Sequence, residues 1–350
     1  MKLNKLKDFK FTDYAKYVLL APLCVIVLSV IVSLVCALCG VGYFNLDYDY
    51  KTSYSFEVKF NATVTEAEYN TYQDIVADTL SDKGITSYRF FGMGEGVYTR
   101  IEVKALNNGN DANFEKNLQD LQVHFIENLE AEAQQAGAVT NVRISVTDFV
   151  VEQPMNAFNT ILFAGITLLA VIAFMFVYMF IRFNLMAGVS LILSLLYETA
   201  MLTALISLVR IPVNSTIYVA YMFMYVFTIV MNMSVFHSVR VDLDSDVADD
   251  NSKVALNAVN KNVVPVSIMS AILLVATVMY IILGYAFVKF TAMAVAFAIL
   301  VSLYFVLFVN TTIWVKLYSR KRDLILRKKQ EYRKKKLEKK SKDEEEKILV

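Results

Sequence analysis

The stretch Leu185-Met-Ala-Gly-Val-Ser-Leu-Ile-Leu-Ser-Leu-Leu-Tyr-Glu198-Thr-Ala-Met-Leu-Thr-Ala-Leu-Ile-Ser-Leu208 decides the fold. It carries one charged side chain, Glu198, among residues that are apolar or small and hydroxylated. About 20 helical residues, rising 1.5 Å each, cross a hydrocarbon core roughly 30 Å thick. This run is long enough to do so, and five others resemble it: 17–44, 158–181, 213–236, 263–284 and 290–317. The first exceeds the roughly 7–15 apolar residues of a signal peptide, so an uncleaved helix is expected there. The sequence predicts a polytopic α-helical membrane protein: one transmembrane helix at 17–44 and a five-helix transmembrane bundle over 158–317.

Composition agrees. Of 350 residues, 57% are hydrophobic and 19% charged, whereas soluble proteins carry about a quarter charged residues. The net charge of +1 conceals segregation. Residues 1–16 are basic (Lys2, Lys5, Lys7, Lys10, Lys16), and the tail 318–350 holds Arg320-Lys-Arg and Arg333-Lys-Lys-Lys336. The link 237–262 is acidic, with Asp242, Asp244, Asp246, Asp249 and Asp250. Basic termini belong in the cytoplasm, and six spans place both there. Residues 45–152 then lie outside, and the loop 237–262 lies inside.

Residues 45–152 read as a folded α+β domain between the first and second spans. Ser53 to Phe60 has strand alternation, and Thr65 to Asp82 is a helix that Thr65 and Glu68 open as a capping box. Ile85 to Phe91 and Val97 to Ala105 form a hairpin around Gly92–Gly96. Asn113 to Gln135 is a second helix, closed by Gly137. Val139 to Val150 is the last strand. The order βαββαβ is ferredoxin-like. The cysteines, Cys24, Cys36 and Cys39, all fall in the first span, so no disulfide framework supports this domain. The two histidines, His124 and His237, make no metal cluster. No cofactor, metal, catalytic constellation or nucleic-acid partner is expected, and the chain is not expected to be an enzyme.

Polar groups inside a bilayer face protein or water, so they mark the bundle interior. Asn214, Tyr218, Tyr221, Tyr225, Thr228 and Asn232 recur at spacings of 4, 3, 4, 3 and 4, one face of a helix. Ser190, Ser194 and Glu198 share a face of the preceding span. Glu198 alone is an acid deep within an apolar run. It is therefore a proton-coupling candidate, the competing reading being a structural hydrogen bond. Counting residues from the helix ends sets Tyr221 and Tyr225 at its depth, with Thr277 and Ala298 or Ser302 close by.

Architecture and motifs together resemble SecF of the SecD/SecF protein-export family, part of the RND superfamily. One span, an external ferredoxin-like domain and five spans is the SecF arrangement. The family segment D-F-T-G-G-T-x-x-E-V is similar to Asp49-Tyr-Lys-Thr-Ser-Tyr-Ser-Phe-Glu57-Val58, which keeps the Asp and Glu-Val but has Thr52 and Ser53 for the glycines. The family's R-F between the second and third spans is met by Arg182-Phe183, followed by Ala187-Gly188. Its H-D pair falls on Tyr197-Glu198. In the fourth span its proton-carrying Asp falls on Met231, its D-R pair on His237-Ser238, and a second Arg on Arg240. The resemblance implies an accessory subunit of the Sec translocase in the bacterial plasma membrane, possessing a SecD-type partner, the SecYEG channel and a translocating preprotein. Two other readings stay open: a non-transporting scaffold that stabilises a SecD-type partner, which the lost Asp favours, and an RND-type small-molecule or lipid exporter.

Overall fold

The computed structural model describes residues 14–39, 42–92, 100–106, 113–135, 143–147, 150–152, 157–183, 185–243, 251–283 and 286–321. The basic residues before 14, the acids of 244–250, Gly137, Gly284 and the tail beyond 321 lie outside them. Among the described residues six helices are long and apolar enough to span a membrane, and the protein is a polytopic membrane protein. In chain order they are α1 (Ala15–Leu38), then, after the α/β domain with its helices α2 and α3, α4 (Ala157–Arg182), α5 (Leu185–Val209), α6 (Tyr218–Leu243), α7 (Asn251–Leu283) and α8 (Ala286–Tyr304). A π-helical turn, Phe305–Val309, follows α8, and helix resumes over 310–321.

α5, α6 and α8 form the centre. Their apolar windows are 44%, 50% and 56% buried by protein, against 11% for α1, α4 and α7, which line the rim. The centre is where the small and hydroxylated residues lie: Ala187, Gly188, Ser190 and Ser194 are buried on α5, and small residues let helix backbones approach closely. α1 is held by side chains answering a defect in its own backbone. Pro22 has no N–H to offer the carbonyl one turn earlier, and the Tyr304 hydroxyl donates to that carbonyl, Val18 O, at 2.8 Å. Tyr197 donates to the next, Leu19 O, at 2.5 Å. In hydrocarbon an unmet carbonyl costs several kcal/mol.

Helix limits differ from the apolar runs for physical reasons. The first helix ends at Leu38 rather than 44, and Gly42 turns the chain at φ 80°. α6 begins at Tyr218 rather than 213, because Val213 instead bridges Leu46. The expected loop 237–262 is mostly helix: α6 continues to Leu243 and α7 starts at Asn251. Hydropathy marks where membrane ends, not where helix ends. The extension is held by Lys261–Asp242 at 2.6 Å and by Asn262, which accepts from Ser234 at 2.6 Å and donates to Ser238 at 2.8 Å.

Between α1 and α4 lies a five-stranded antiparallel sheet of order β2-β3-β1-β4, with β5 also beside β1. Its strands are β1 (Ser53–Phe60), β2 (Tyr88–Gly92), β3 (Arg100–Leu106), β4 (Ile144–Val146) and β5 (Val150–Glu152). The single strand expected over 139–150 is thus two short pieces, pairing with opposite halves of β1. α2 (Glu66–Asp82) carries the Thr65/Glu68 capping box, and α3 (Phe114–Gln135) buries Leu118, Leu121, Phe125 and Leu129 on one stripe. Both helices pack with Phe56, Val58 and Val103 in one core. The opposite sheet face carries the ion pairs Arg100–Glu57 at 2.8 Å and Lys104–Glu152 at 2.7 Å.

Candidate functional site

Glu198 is fully buried at the middle of α5. Two hydroxyls converge on one of its oxygens: Thr228 of α6 donates to Oε1 at 2.6 Å, and Ser302 of α8 donates to the same atom at 2.5 Å. Oε2 has no hydrogen-bond partner among the described residues. All three central helices therefore meet at one carboxyl group, with no Lys or Arg among the described residues bonded to it.

Depth counting sets Tyr221 and Tyr225 level with Glu198 as candidate hydrogen-bond partners, but neither is bonded to it. Tyr225 pairs with Thr199 at 2.8 Å and Tyr221 with Thr203 at 2.9 Å. The count began at 213, but the helix begins at Tyr218, and the shift brings Thr228 to the acid's level. Ser302 is a partner as the count allowed, while Thr277 bonds its own helix at Leu273 O. Of the polar face read on the fourth span, Tyr225, Thr228 and Asn232 are buried, and Asn214 is buried in the loop preceding α6. Tyr218 is 47% exposed and does not belong to the interior.

Away from the α/β domain the polar layer continues as Ser194, Asn232 and Asn310. Asn310 Nδ2 donates to Asn232 Oδ1 at 2.5 Å. Ser194 Oγ, Asn232 Nδ2 and Asn310 Oδ1 are buried with no hydrogen-bond partner among the described residues. Ser302 and Asn310 stand eight positions apart in sequence, about 80° round a regular helix at 3.6 residues per turn. The π turn at Phe305–Val309 absorbs one residue and narrows that offset, and both side chains are buried at the centre. Asn310 lies inside the apolar run 290–317 and so carries the same sequence signal as Asn232; its pairing with Asn232 is what the sequence does not give.

Towards the α/β domain a second polar series runs outward: Thr199–Tyr225, Thr203–Tyr221, then Asn214, Thr216 and Thr291. Thr216 and Thr291 hydroxyls are 2.6 Å apart. The domain is stitched onto this end. The Asp49 carboxylate accepts the Ser215 N–H at 2.8 Å. Asp47 N–H bonds Val213 O at 3.0 Å, and Val213 N–H bonds Asn45 O at 2.7 Å. Arg89 of β2 pairs with Asp47 at 2.9 Å and lies over the rings of Tyr48 and Phe290. A groove of about 400 Å³ opens beside this series, lined by Phe44, Leu168, Tyr221, Met222 and Tyr225 among others.

The remaining sequence-derived positions serve separate places. Glu57 sits on the polar face of β1, paired with Arg100. Arg182 ends α4, and its carbonyl accepts from Arg240 Nη1 at 3.2 Å. No group of three or more metal-ligating side chains occurs among the described residues.

Comparison with known proteins gives three findings. The family model for the protein export membrane protein SecD/SecF, C-terminal, matches residues 132–320, more than half of the chain. A crystal structure of SecDF in a super-membrane-facing form superposes with a TM-score of 0.65 at 18% identity, covering 91% of this chain and 40% of that one. A crystal structure of SecDF from Thermus thermophilus, described as translocon-associated, superposes with a TM-score of 0.58 at 17% identity, covering 90% and 39%. The chain thus spans about 40% of the length of these structures, and at such identity the likeness concerns the fold. No curated protein sequence matches.

Proposed function

The chain belongs to the SecD/SecF family of protein-export membrane proteins, and from that premise we propose that it is a SecF-like accessory subunit of the Sec translocase. The observation that carries this reading is the family match joined to one span, an α/β domain and five spans. The strand order β2-β3-β1-β4 supports a ferredoxin-like assignment for residues 45–152. In this reading the protein lies in the bacterial plasma membrane with both termini cytoplasmic. The domain engages a preprotein emerging from the SecYEG channel, and a SecD-type subunit completes the membrane assembly. The protein acts by binding and movement, without enzymatic chemistry or a cofactor.

Glu198 is proposed as the proton carrier. Ser194, Asn232 and Asn310 supply polar groups on the side away from the domain, along which a bridging water could pass a proton. Gain or loss of a proton at Glu198 would alter its bonds with Thr228 and Ser302. The α5–α6–α8 packing would shift, and the tyrosine–threonine pairs would carry that shift to Asp49 and the domain base. One observation favours the scaffold reading instead: Met231, at the family's Asp position, packs against the apolar core.

Export of a reporter preprotein in cells depleted of the native subunit separates the two. Glu198→Gln keeps the shape of the carboxyl group and cannot release a proton. The proposal expects lost export stimulation with normal assembly of the complex. Full export with normal assembly would leave the scaffold.

A further inference from the structure

On the face opposite the α/β domain, the ends of α4 and α6 bring two arginines together. Arg182 closes α4, and Arg240 sits within one turn of the end of α6. Tyr178, Ile181, Arg182, Phe183 and Arg240 line an open recess of about 410 Å³. Among the described residues neither guanidinium has a carboxylate partner. The bond from Arg240 to the Arg182 carbonyl, at 3.2 Å, occupies one donor. Capping the negative ends of helix dipoles accounts for a positive charge here, but not for two guanidinium groups sharing one recess with most of their N–H donors unbonded to any described residue.

We propose that Arg182 and Arg240 form a phosphate-binding site that takes the headgroup of an anionic phospholipid. Two planar forks match the oxygens of a phosphate by paired hydrogen bonds. The recess is continuous with an apolar wall facing away from the protein: Ile181 is 77% exposed, and Val177 and Phe180 stand exposed above it on α4. Exposed apolar side chains on a membrane span face acyl chains. A lipid lying along α4 therefore delivers its phosphate at the depth of the two arginines, and basic pockets at helix ends suit anionic headgroups. The site rests on the chain spanning a membrane and not on its role in export.

Native mass spectrometry of the delipidated full chain in mild detergent tests this. The probes are short-chain phosphatidylglycerol, short-chain phosphatidylcholine and inorganic phosphate. Phosphatidylglycerol is expected to bind in preference to phosphatidylcholine, and Arg182→Gln/Arg240→Gln to weaken it by about tenfold or more, the scale of one lost charge-assisted bond. Lys321→Gln, which removes a charge at the end of the resumed helix, is expected to change nothing. Inorganic phosphate binding as tightly as the lipid, with the same sensitivity to the arginines, upholds the phosphate site with a soluble source. Should the glutamine pair fail to fold, Arg182→Lys/Arg240→Lys keeps the charge but loses the forks, and weaker lipid binding is again expected. Binding unchanged by either substitution, or no binding of any probe, overturns the proposal.

Discussion

Glu198 and Ser302 lie 104 residues apart in sequence, yet the Ser302 hydroxyl meets Glu198 Oε1 at 2.5 Å in the centre of the bundle. Thr228 reaches the same oxygen. Removing a donor from a buried polar group costs about 1–3 kcal/mol, so Ser302→Ala and Thr228→Ala should each destabilise the protein on that scale in a denaturing-detergent titration. In a cycle with Glu198→Leu, each should be non-additive by about 0.5–3 kcal/mol. Strict additivity would show that the contact contributes nothing.

Gly188 sets the approach of α5 to α4. A Cβ there would stand 3.0 Å from Phe176 Cδ2 and 3.5 Å from the Phe176 carbonyl. The ring can turn a little for one methyl group, but the backbone behind it cannot. Gly188→Ala should therefore be tolerated with a small loss, and Gly188→Leu should cost about 1–3 kcal/mol by overpacking. Equal stability of the two variants would mean that the two helices stand further apart.

Much of this fold is legible in sequence, because hydropathy in a membrane protein is a strong and local signal. The apolar runs located six spans, and strand alternation from Ser53 to Phe60 located the central strand. Glu198 was legible because an acid is rare in such a run. Of its partners, Ser302 was within reach of the depth count, while Thr228 was not, since its level depends on where α6 starts. Neither Val213 bridging Leu46 nor the pairing of Asn310 with Asn232 follows from any local pattern. The paired ends of α6 and α7 escape the sequence for a related reason: their helices leave the apolar region and are held by contacts such as Lys261–Asp242.

The seating of the α/β domain depends on Arg89 and Asp49. Arg89 joins Asp47 to the ring of Phe290 at the start of α8, and Asp49 holds the Ser215 N–H. Arg89→Ala and Asp49→Ala should speed hydrogen exchange at Asp47, Val213 and Ser215 by about tenfold, as one lost hydrogen bond predicts. Exchange around Asn262 should not change. Unaltered exchange at all three amides would mean that the backbone bridge alone seats the domain.

Membrane orientation is open to direct labelling. Cys24, Cys36 and Cys39 are free thiols and can be replaced to leave a Cys-free background. Single cysteines at the exposed positions Glu127 on α3 and Lys321 after α8 then report opposite faces. With the domain external, Glu127→Cys should react with an impermeant reagent in intact cells, and Lys321→Cys only after lysis. The reverse pattern would invert the proposed topology.

The π turn makes the sharpest demand on energetics. It carries Asn310 round to Asn232, and the two side-chain amides meet where both residues are fully buried. Asn232→Leu alone takes away the acceptor for Asn310 Nδ2, leaving a buried amide unmet, and Asn310→Leu does the same to Asn232 Oδ1. Each single change should cost about 1–3 kcal/mol, whereas replacing both partners by apolar groups of similar size can be nearly neutral. The double variant Asn232→Leu/Asn310→Leu should therefore be more stable than either single variant in the same titration. If the pair serves only to hold α6 against α8, export in the depleted cells should survive the double change. If the polar layer also carries protons to Glu198, the double variant should be as stable as predicted and yet fail in export. A double variant less stable than both singles would contradict the pairing itself, and with it the role of the π turn in bringing Asn310 to Asn232.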